Sequence, residues 1–311
     1  MFGSSGSSQI TLGVITGLVS TCIQSVGLTL QRKSHMLEEK KPAHLVRKPF
    51  RRRKWQIGFT LFLLSNIVGS SVQITVLPLV ILSSLQASGL VFNSICATLV
   101  LKEPFTNHSL AGTVLVVVGA GVIAWYGAMK DPAHSIDELL QLFGKRNFVI
   151  WMILQGVLVL GILLAAKLSV YLRPRLKNTA KMKAFRGVIY GSVSGILSAD
   201  SLLLAKCMVE LLVRTLINHQ NQFKRYETWL ILIGFLTLAL TQLYYLNRGL
   251  RLVSTSLLYP LCFCLYNITA ICDGIFYYNY SLPALHIALI AVGTAILLGG
   301  VLLLSWRLSD E

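Results

Sequence analysis

The sequence predicts an all-α polytopic membrane protein of about nine transmembrane helices arranged as two inverted repeats. Three observations lead there: the composition, a series of long apolar runs, and a duplicated stripe of small residues. Of the 311 residues, 54% are hydrophobic and only 13% are charged, whereas about a quarter of the residues of a soluble domain are charged. Bulk composition therefore places the chain in lipid. A helix rising about 1.5 Å per residue needs roughly 20 apolar residues to cross a hydrocarbon layer about 30 Å thick. Runs of that kind account for most of the chain, and no remaining segment is long enough for a soluble catalytic domain.

The first run covers residues 10 to 30 and ends in Gln31-Arg32-Lys33. It is too long for a signal-peptide core and lacks a small-residue cleavage site, so a retained span is expected. The next three runs cover residues 56 to 76, 79 to 101 and 109 to 128. Beyond them, Asp131-Pro132 is a helix-start signal, and Ser135 and Glu138 have the spacing of a capping box. Ile136, Leu139, Leu140 and Phe143 then form one apolar face, expected to lie in the membrane interface. The remaining runs are 148 to 172, 187 to 212, 228 to 246, 253 to 277 and 284 to 306. The expected organisation is one membrane domain, residues 1 to 306, with a short cytoplasmic tail, 307 to 311. Within it the first repeat takes about 10 to 128, the second about 187 to 306, and the amphipathic segment and span of 131 to 172 link them.

Nine spans put the two termini on opposite sides, which divides the loops into two sets. One set holds 20 Lys and Arg residues, ten of them between 31 and 55 and six between 173 and 186, and the other holds six. Basic loops stay cytoplasmic. The N-terminus is therefore expected outside or in a lumen, and the C-terminus inside. The net charge of +16 sits mostly on that cytoplasmic face, where anionic lipid is its partner. Topology already explains the basic residues, so no nucleic-acid partner is expected.

All six cysteines lie inside spans, with no metal-ligand spacing, and none of the six histidines sits mid-span. No nucleophile with its base and no phosphate loop is present. The chain does not read as an enzyme, and no resident cofactor is expected.

The duplication is explicit. Gly13-Val14-Ile15-Thr16-Gly17-Leu18-Val19-Ser20 recurs 174 residues later as Gly187-Val188-Ile189-Tyr190-Gly191-Ser192-Val193-Ser194. Gly13, Gly17, Ser20, Gln24, Gly27 and Gln31 fall on one helical stripe, and its second copy reads Gly187, Gly191, Ser194, Ser198, Ser201 and Ala205. Small residues let helices approach closely in lipid, and hydroxyls or amides bond across the contact. Later segments match too, as in Val116-Val117-Val118-Gly119-Ala120-Gly121 against Ile290-Ala291-Val292-Gly293-Thr294-Ala295. The first copy enters its helix from outside and the second from the cytoplasm. Inverted repeats of this kind are typical of secondary transporters.

Three further segments carry a resemblance. Gly191-Ser192-Val193-Ser194-Gly195-Ile196-Leu197-Ser198-Ala199 with Leu203-Leu204-Ala205-Lys206 is the first. Tyr245-Leu246-Asn247-Arg248-Gly249-Leu250 and Thr255-Ser256-Leu257-Leu258-Tyr259-Pro260 are the others. From residue 10 to 306 the chain resembles the NIPA family of magnesium transporters, in the drug/metabolite transporter superfamily, and especially its fungal members. The resemblance implies nine spans and a magnesium cargo. In the first half the counterpart of the last segment reads Leu82-Ser83-Ser84-Leu85 and lacks the proline.

A charge at the bilayer centre costs at least about 2.5 to 3.5 kcal/mol, so each such residue needs a reason. Asp200 lies mid-span, about 100° around the helix from Ser201. Asp273 lies in the eighth span near Asn267 and Thr269. Carboxylates with hydroxyl and carbonyl oxygens suit a hard cation, and magnesium uses one or two carboxylates while keeping several waters. The candidate cation pathway is therefore Asp200, Ser198, Ser201, Asp273, Ser194 and Gln24, with Asp200 and Asp273 as metal ligands. The structural alternative is that either aspartate is protonated, or paired with a lysine of a neighbouring helix, purely for structure. Lys206 and Glu210 are spaced i, i+4 and read as a pair near the outer end of their helix. Asn66, Gln73 and Gln86 read as interhelical hydrogen bonds. The expected function is divalent cation uptake toward the cytosol, driven by membrane potential. Its alternative is a carrier of a polar organic metabolite, bound as an anion by the intramembrane lysines.

Overall fold

The computed structural model describes residues 4–39, 47–101, 107–127, 135–172, 179–217, 222–250, 252–253, 255–278 and 283–306. The basic loop at 40–46, Lys102-Glu103-Pro104, Asp131-Pro132, residues 173–178 and the tail 307–311 fall outside them. Every regular element among the described residues is helical.

The long helices are α1 (Ser4–Glu39), α6 (Asn107–Tyr126), α8 (Arg146–Leu172), α9 (Ala180–Ile217), α10 (Tyr226–Leu250), α11 (Thr255–Tyr278) and α12 (Ala284–Trp306). The second span is composite, with α2 (Arg53–Leu64), a π-helical turn Ser65–Gly69 and α3 (Ser70–Val76). The third is α4 (Leu79–Leu85), α5 (Ser88–Cys96) and a second π turn Ala97–Leu101. Between the halves stands the short α7 (Ile136–Phe143).

Among the described residues, eight helices are long and apolar enough to cross a membrane. The ninth expected span, 187 to 212, falls inside α9, a 38-residue helix that is not one of the eight. It carries Asp200, Lys206 and Glu210 within the expected span, and most of that span is buried. By contrast α8 and α10 expose aliphatic side chains such as Leu160, Leu164, Ile233 and Leu240, as a lipid-facing helix does.

The chain divides into two compact units, Met1–Asp131 with Ala288–Glu311, and Pro132–Ile287. In the first, α1 packs along α2, α3 and α5. A Cβ on Gly13 would stand 2.9 Å from the Val76 and Leu77 side chains, and one on Gly17 would stand 2.5 Å from Leu85. Further along, Ser20 Oγ donates to the Ser65 carbonyl at 2.8 Å and Gln24 Nε2 to Asn66 Oδ1 at 3.0 Å. Gly27 and Gly58 bring the α1 and α2 backbones together, each one's Cβ position lying 2.6 Å from the other's carbonyl oxygen. The third span opens at Gln86-Ala87, although it has no proline there. Ser83, Ser84 and Ser88 donate to the carbonyls of Val80, Ile81 and Leu85 three residues back. Such back-bonding competes with the ordinary helical ladder. Thr21 Oγ1 and Ser25 Oγ of α1 meet the break at Ser88 Oγ and the Gly89 carbonyl.

The second unit repeats these contacts internally. Gly187 meets Leu252 and Val253, and Gly191 meets Leu258 and Cys262. Ser194 Oγ donates to the Gln242 carbonyl at 3.0 Å, as Ser20 does to Ser65. Ser198, the counterpart of Gln24, pairs with the Gln242 side chain. The matched late helices also meet, because α12 packs on α6 in the first unit. There a Cβ on Gly119 would stand 2.7 Å from the Gly293 carbonyl oxygen, and the two glycines are themselves separated by the repeat offset of 174.

α7 begins as the capping box predicts, with Ser135 Oγ accepting from the Glu138 backbone N–H and Glu138 Oε2 accepting from the Ser135 N–H. Its surroundings differ from the expected membrane interface. Ile136, Leu139 and Leu142 are buried, while Leu140 and Phe143 are partly exposed. Tyr277 of α11 donates to the Leu139 carbonyl at 3.4 Å and its ring packs edge-on against Phe143. Tertiary packing turned the helix toward protein, a choice its apolar period leaves open.

Candidate functional site

The site lies in the second unit, where α9 and α11 run parallel. Cys262 Sγ donates to the Gly191 carbonyl at 3.2 Å, and a Cβ on Gly195 would meet the Cys262 carbonyl oxygen at 2.6 Å. Ala199 clusters with Tyr266 and Ala270. Higher still, Cys207 Sγ lies 3.5 Å from Tyr277 Oη. Small residues at each level let the two backbones stay close, so Asp200 and Asp273, which fall between the last two levels, are brought together.

Asp200 is 7% exposed and Asp273 0%. Asp273 is held from a third helix. Trp151 Nε1 and Gln155 Nε2 of α8 donate to the same oxygen, Oδ1, at 2.7 and 2.9 Å. Trp151 also stacks on Phe276 with ring centroids 5.0 Å apart. Three buried oxygens here have no hydrogen-bond donor among the described residues: Asp200 Oδ1, Asp273 Oδ2 and Gln155 Oε1. Asp200 borders a cavity of about 410 Å³ whose other walls include Phe143, Phe148, Met152, Leu203 and Leu238. Among the described residues it is the one charged side chain in that lining.

Of the residues expected at the site, Asp200 and Asp273 come together. Ser194 and Ser198 are committed to Gln242 of α10, and Ser201 is buried on α9. Gln24 belongs to the first unit, where it pairs with Asn66. The first half offers no acidic counterpart, since the positions 174 residues before Asp200 and Asp273 are Val26 and Leu99. Lys206 and Glu210, the i, i+4 residues of α9, are both buried, and the Lys206 ammonium lies 4.9 Å from the centre of the Tyr278 ring. Sequence reasoning missed Trp151 and Gln155. Their signal was an indole and a lone amide spaced i, i+4 in a largely aliphatic span, which places them on one face.

Two carboxylates and an amide on three helices supply three buried oxygens without a donor among the described residues. That chemistry suits a hard cation retaining part of its water shell. Among the described residues no three acidic, His or Cys side chains gather into a ready metal cage, so water would complete the coordination.

The family model for the magnesium transporter NIPA matches residues 8–308. A relative from Arabidopsis thaliana, "Probable magnesium transporter NIPA1", is 24% identical over 229 residues, covering 73% of this chain and 64% of its own length. A Candida albicans protein, "Probable magnesium transporter", is 24% identical over 239 residues, covering 76% of this chain and 61% of its own. The chain thus spans under two-thirds of the length of these relatives. No solved structure matches it.

Proposed function

The chain belongs to the NIPA family of magnesium transporters, and from that premise we propose that it carries Mg²⁺ into the cytosol through the Asp200–Asp273 pair. The observation that carries the reading is the set of buried oxygens, Asp200 Oδ1, Asp273 Oδ2 and Gln155 Oε1, left without donors. Buried acceptors without partners are costly, and two buried carboxylates more so. A divalent cation answers both costs at once, and magnesium is the one that tolerates a site of few carboxylates and several waters. The cavity beside Asp200 has room for such waters.

The driving force is the membrane potential, with the 20 basic residues of one loop set on the cytoplasmic side. One charge crossing 100 mV gains about 2.3 kcal/mol, so a divalent ion gains about 4.6. Every 1.4 kcal/mol or so is a factor of ten, which allows more than a thousandfold accumulation without a coupling ion. The test is Mg²⁺ uptake into proteoliposomes under an imposed inside-negative potential. Wild-type uptake that is weakened in Asp200→Asn supports the reading, and undiminished uptake in that variant removes Asp200 from the pathway. Exchange of an organic anion with no divalent uptake would favour the metabolite carrier instead, with Lys206 as the cation that meets it.

A further inference from the structure

The two donors on Asp273 go to one oxygen only, and that asymmetry has a consequence for which cation fits. Trp151 and Gln155 stand four residues apart on α8, and their N–H groups converge on Oδ1 at 2.7 and 2.9 Å. Oδ2 of the same carboxylate is buried and has no donor among the described residues. A carboxylate pinned in this way presents a single oxygen. It ligates end-on and cannot chelate through both oxygens unless a donor lets go. Calcium takes six to eight oxygens and readily uses bidentate carboxylates, whereas magnesium holds an octahedral shell that is mostly water. Resting on the magnesium reading above, we propose that Trp151 and Gln155 are positioning residues that set Mg²⁺-over-Ca²⁺ selectivity by occupying Asp273 Oδ1.

This assigns a task to α8, the helix outside the duplicated halves. Its indole is well placed to hold a geometry, since Trp151 is also stacked on Phe276 of α11 at 26° between ring planes. The carboxylate, its indole donor and the stacking partner thus form one braced set.

Trp151→Phe keeps an aromatic ring for the stack and removes only the N–H. Gln155→Met removes the other donor together with Oε1, one of the oxygens of the site, so it is expected to lower Mg²⁺ uptake and serves as a second variant read by selectivity alone. The measurement is Mg²⁺ uptake into proteoliposomes with Ca²⁺ as competitor, read as the ratio of the Ca²⁺ inhibition constant to the Mg²⁺ KM. The expected result is Mg²⁺ transport retained in Trp151→Phe and weakened in Gln155→Met, with that ratio lowered about tenfold or more in each. Outer donors that orient a metal ligand typically change affinity by 10 to 100-fold. A merely structural role would change protein yield or maximal rate and leave the ratio alone. Wild-type Mg²⁺ transport with an unchanged ratio in both variants overturns this inference and spares the transport reading. Absence of Mg²⁺ uptake in the wild type overturns both.

Discussion

At the scale of single residues, the two aspartates are nonequivalent, and substitution should show it. Asp273 Oδ1 already accepts two hydrogen bonds. In Asp273→Asn the amide oxygen keeps those donors, which turns the NH₂ group to the position of Oδ2. A donor then stands where a cation would be ligated. The expected outcome is a folded protein with Mg²⁺ uptake lowered at least about a hundredfold, or about 2.7 kcal/mol. Asp200→Asn has no such orienting partners for Oδ1 and can turn its amide oxygen toward the cation. Uptake should fall less, about tenfold, with the loss mainly in KM. Proteoliposome uptake against Mg²⁺ concentration measures the two, and equal losses would count against an unequal pair.

The elements make their own predictions, because close helix crossings depend on absent side chains. A Cβ on Gly27 would stand 2.6 Å from the Gly58 carbonyl oxygen and 2.8 Å from the Phe62 nitrogen, both rigid backbone atoms. Gly27→Ala must therefore push α1 and α2 apart, at a cost of about 1–3 kcal/mol. Gly89 at the start of α5 has nothing within 4 Å of its Cβ position. Gly89→Ala should be neutral or stabilising by up to ~1 kcal/mol, the helix-propensity difference. Thermal unfolding in detergent should separate the pair clearly. For α7, Ser135→Ala removes one half of a reciprocal cap and should cost about 1 kcal/mol. Its effect should appear as faster hydrogen exchange across 136 to 139, the backbone on which Tyr277 rests.

For the whole molecule the prediction is topological. Residues 31 to 55 and 173 to 186 should be cytoplasmic, and α7 should lie on the opposite side with the N-terminus. Single cysteines placed in each segment should label with an impermeant reagent accordingly, and outside labelling anywhere in 40 to 50 would overturn the orientation. The sequon Asn107-His108-Ser109 should carry no glycan if, as the basic-residue count predicts, its loop is cytoplasmic. Its geometry agrees, since Ser109 is fully buried at the first turn of α6.

The sequence by itself determined that the chain is an all-helical membrane protein, because composition and run length answer directly to the thickness of the hydrocarbon layer. It also determined the duplicated stripe, the α7 capping box and the two aspartates, since each rests on local spacing or on the cost of a charge in lipid. Only the tertiary structure decided what those features touch. A glycine stripe says that something approaches, and packing chose Leu258 and Cys262 for Gly191. The apolar face of α7 fits lipid as well as protein, and the Tyr277 ring chose between them. The break at Gln86-Ala87 and the first π turn arise where α1 draws on the second and third spans through Ser20, Thr21 and Ser25, and Lys33 of α1 donates to the Val100 carbonyl in the second π turn. Trp151 and Gln155 stayed hidden for the same reason: their partner Asp273 is more than a hundred residues away, and no periodicity in one helix records a hydrogen bond made to another.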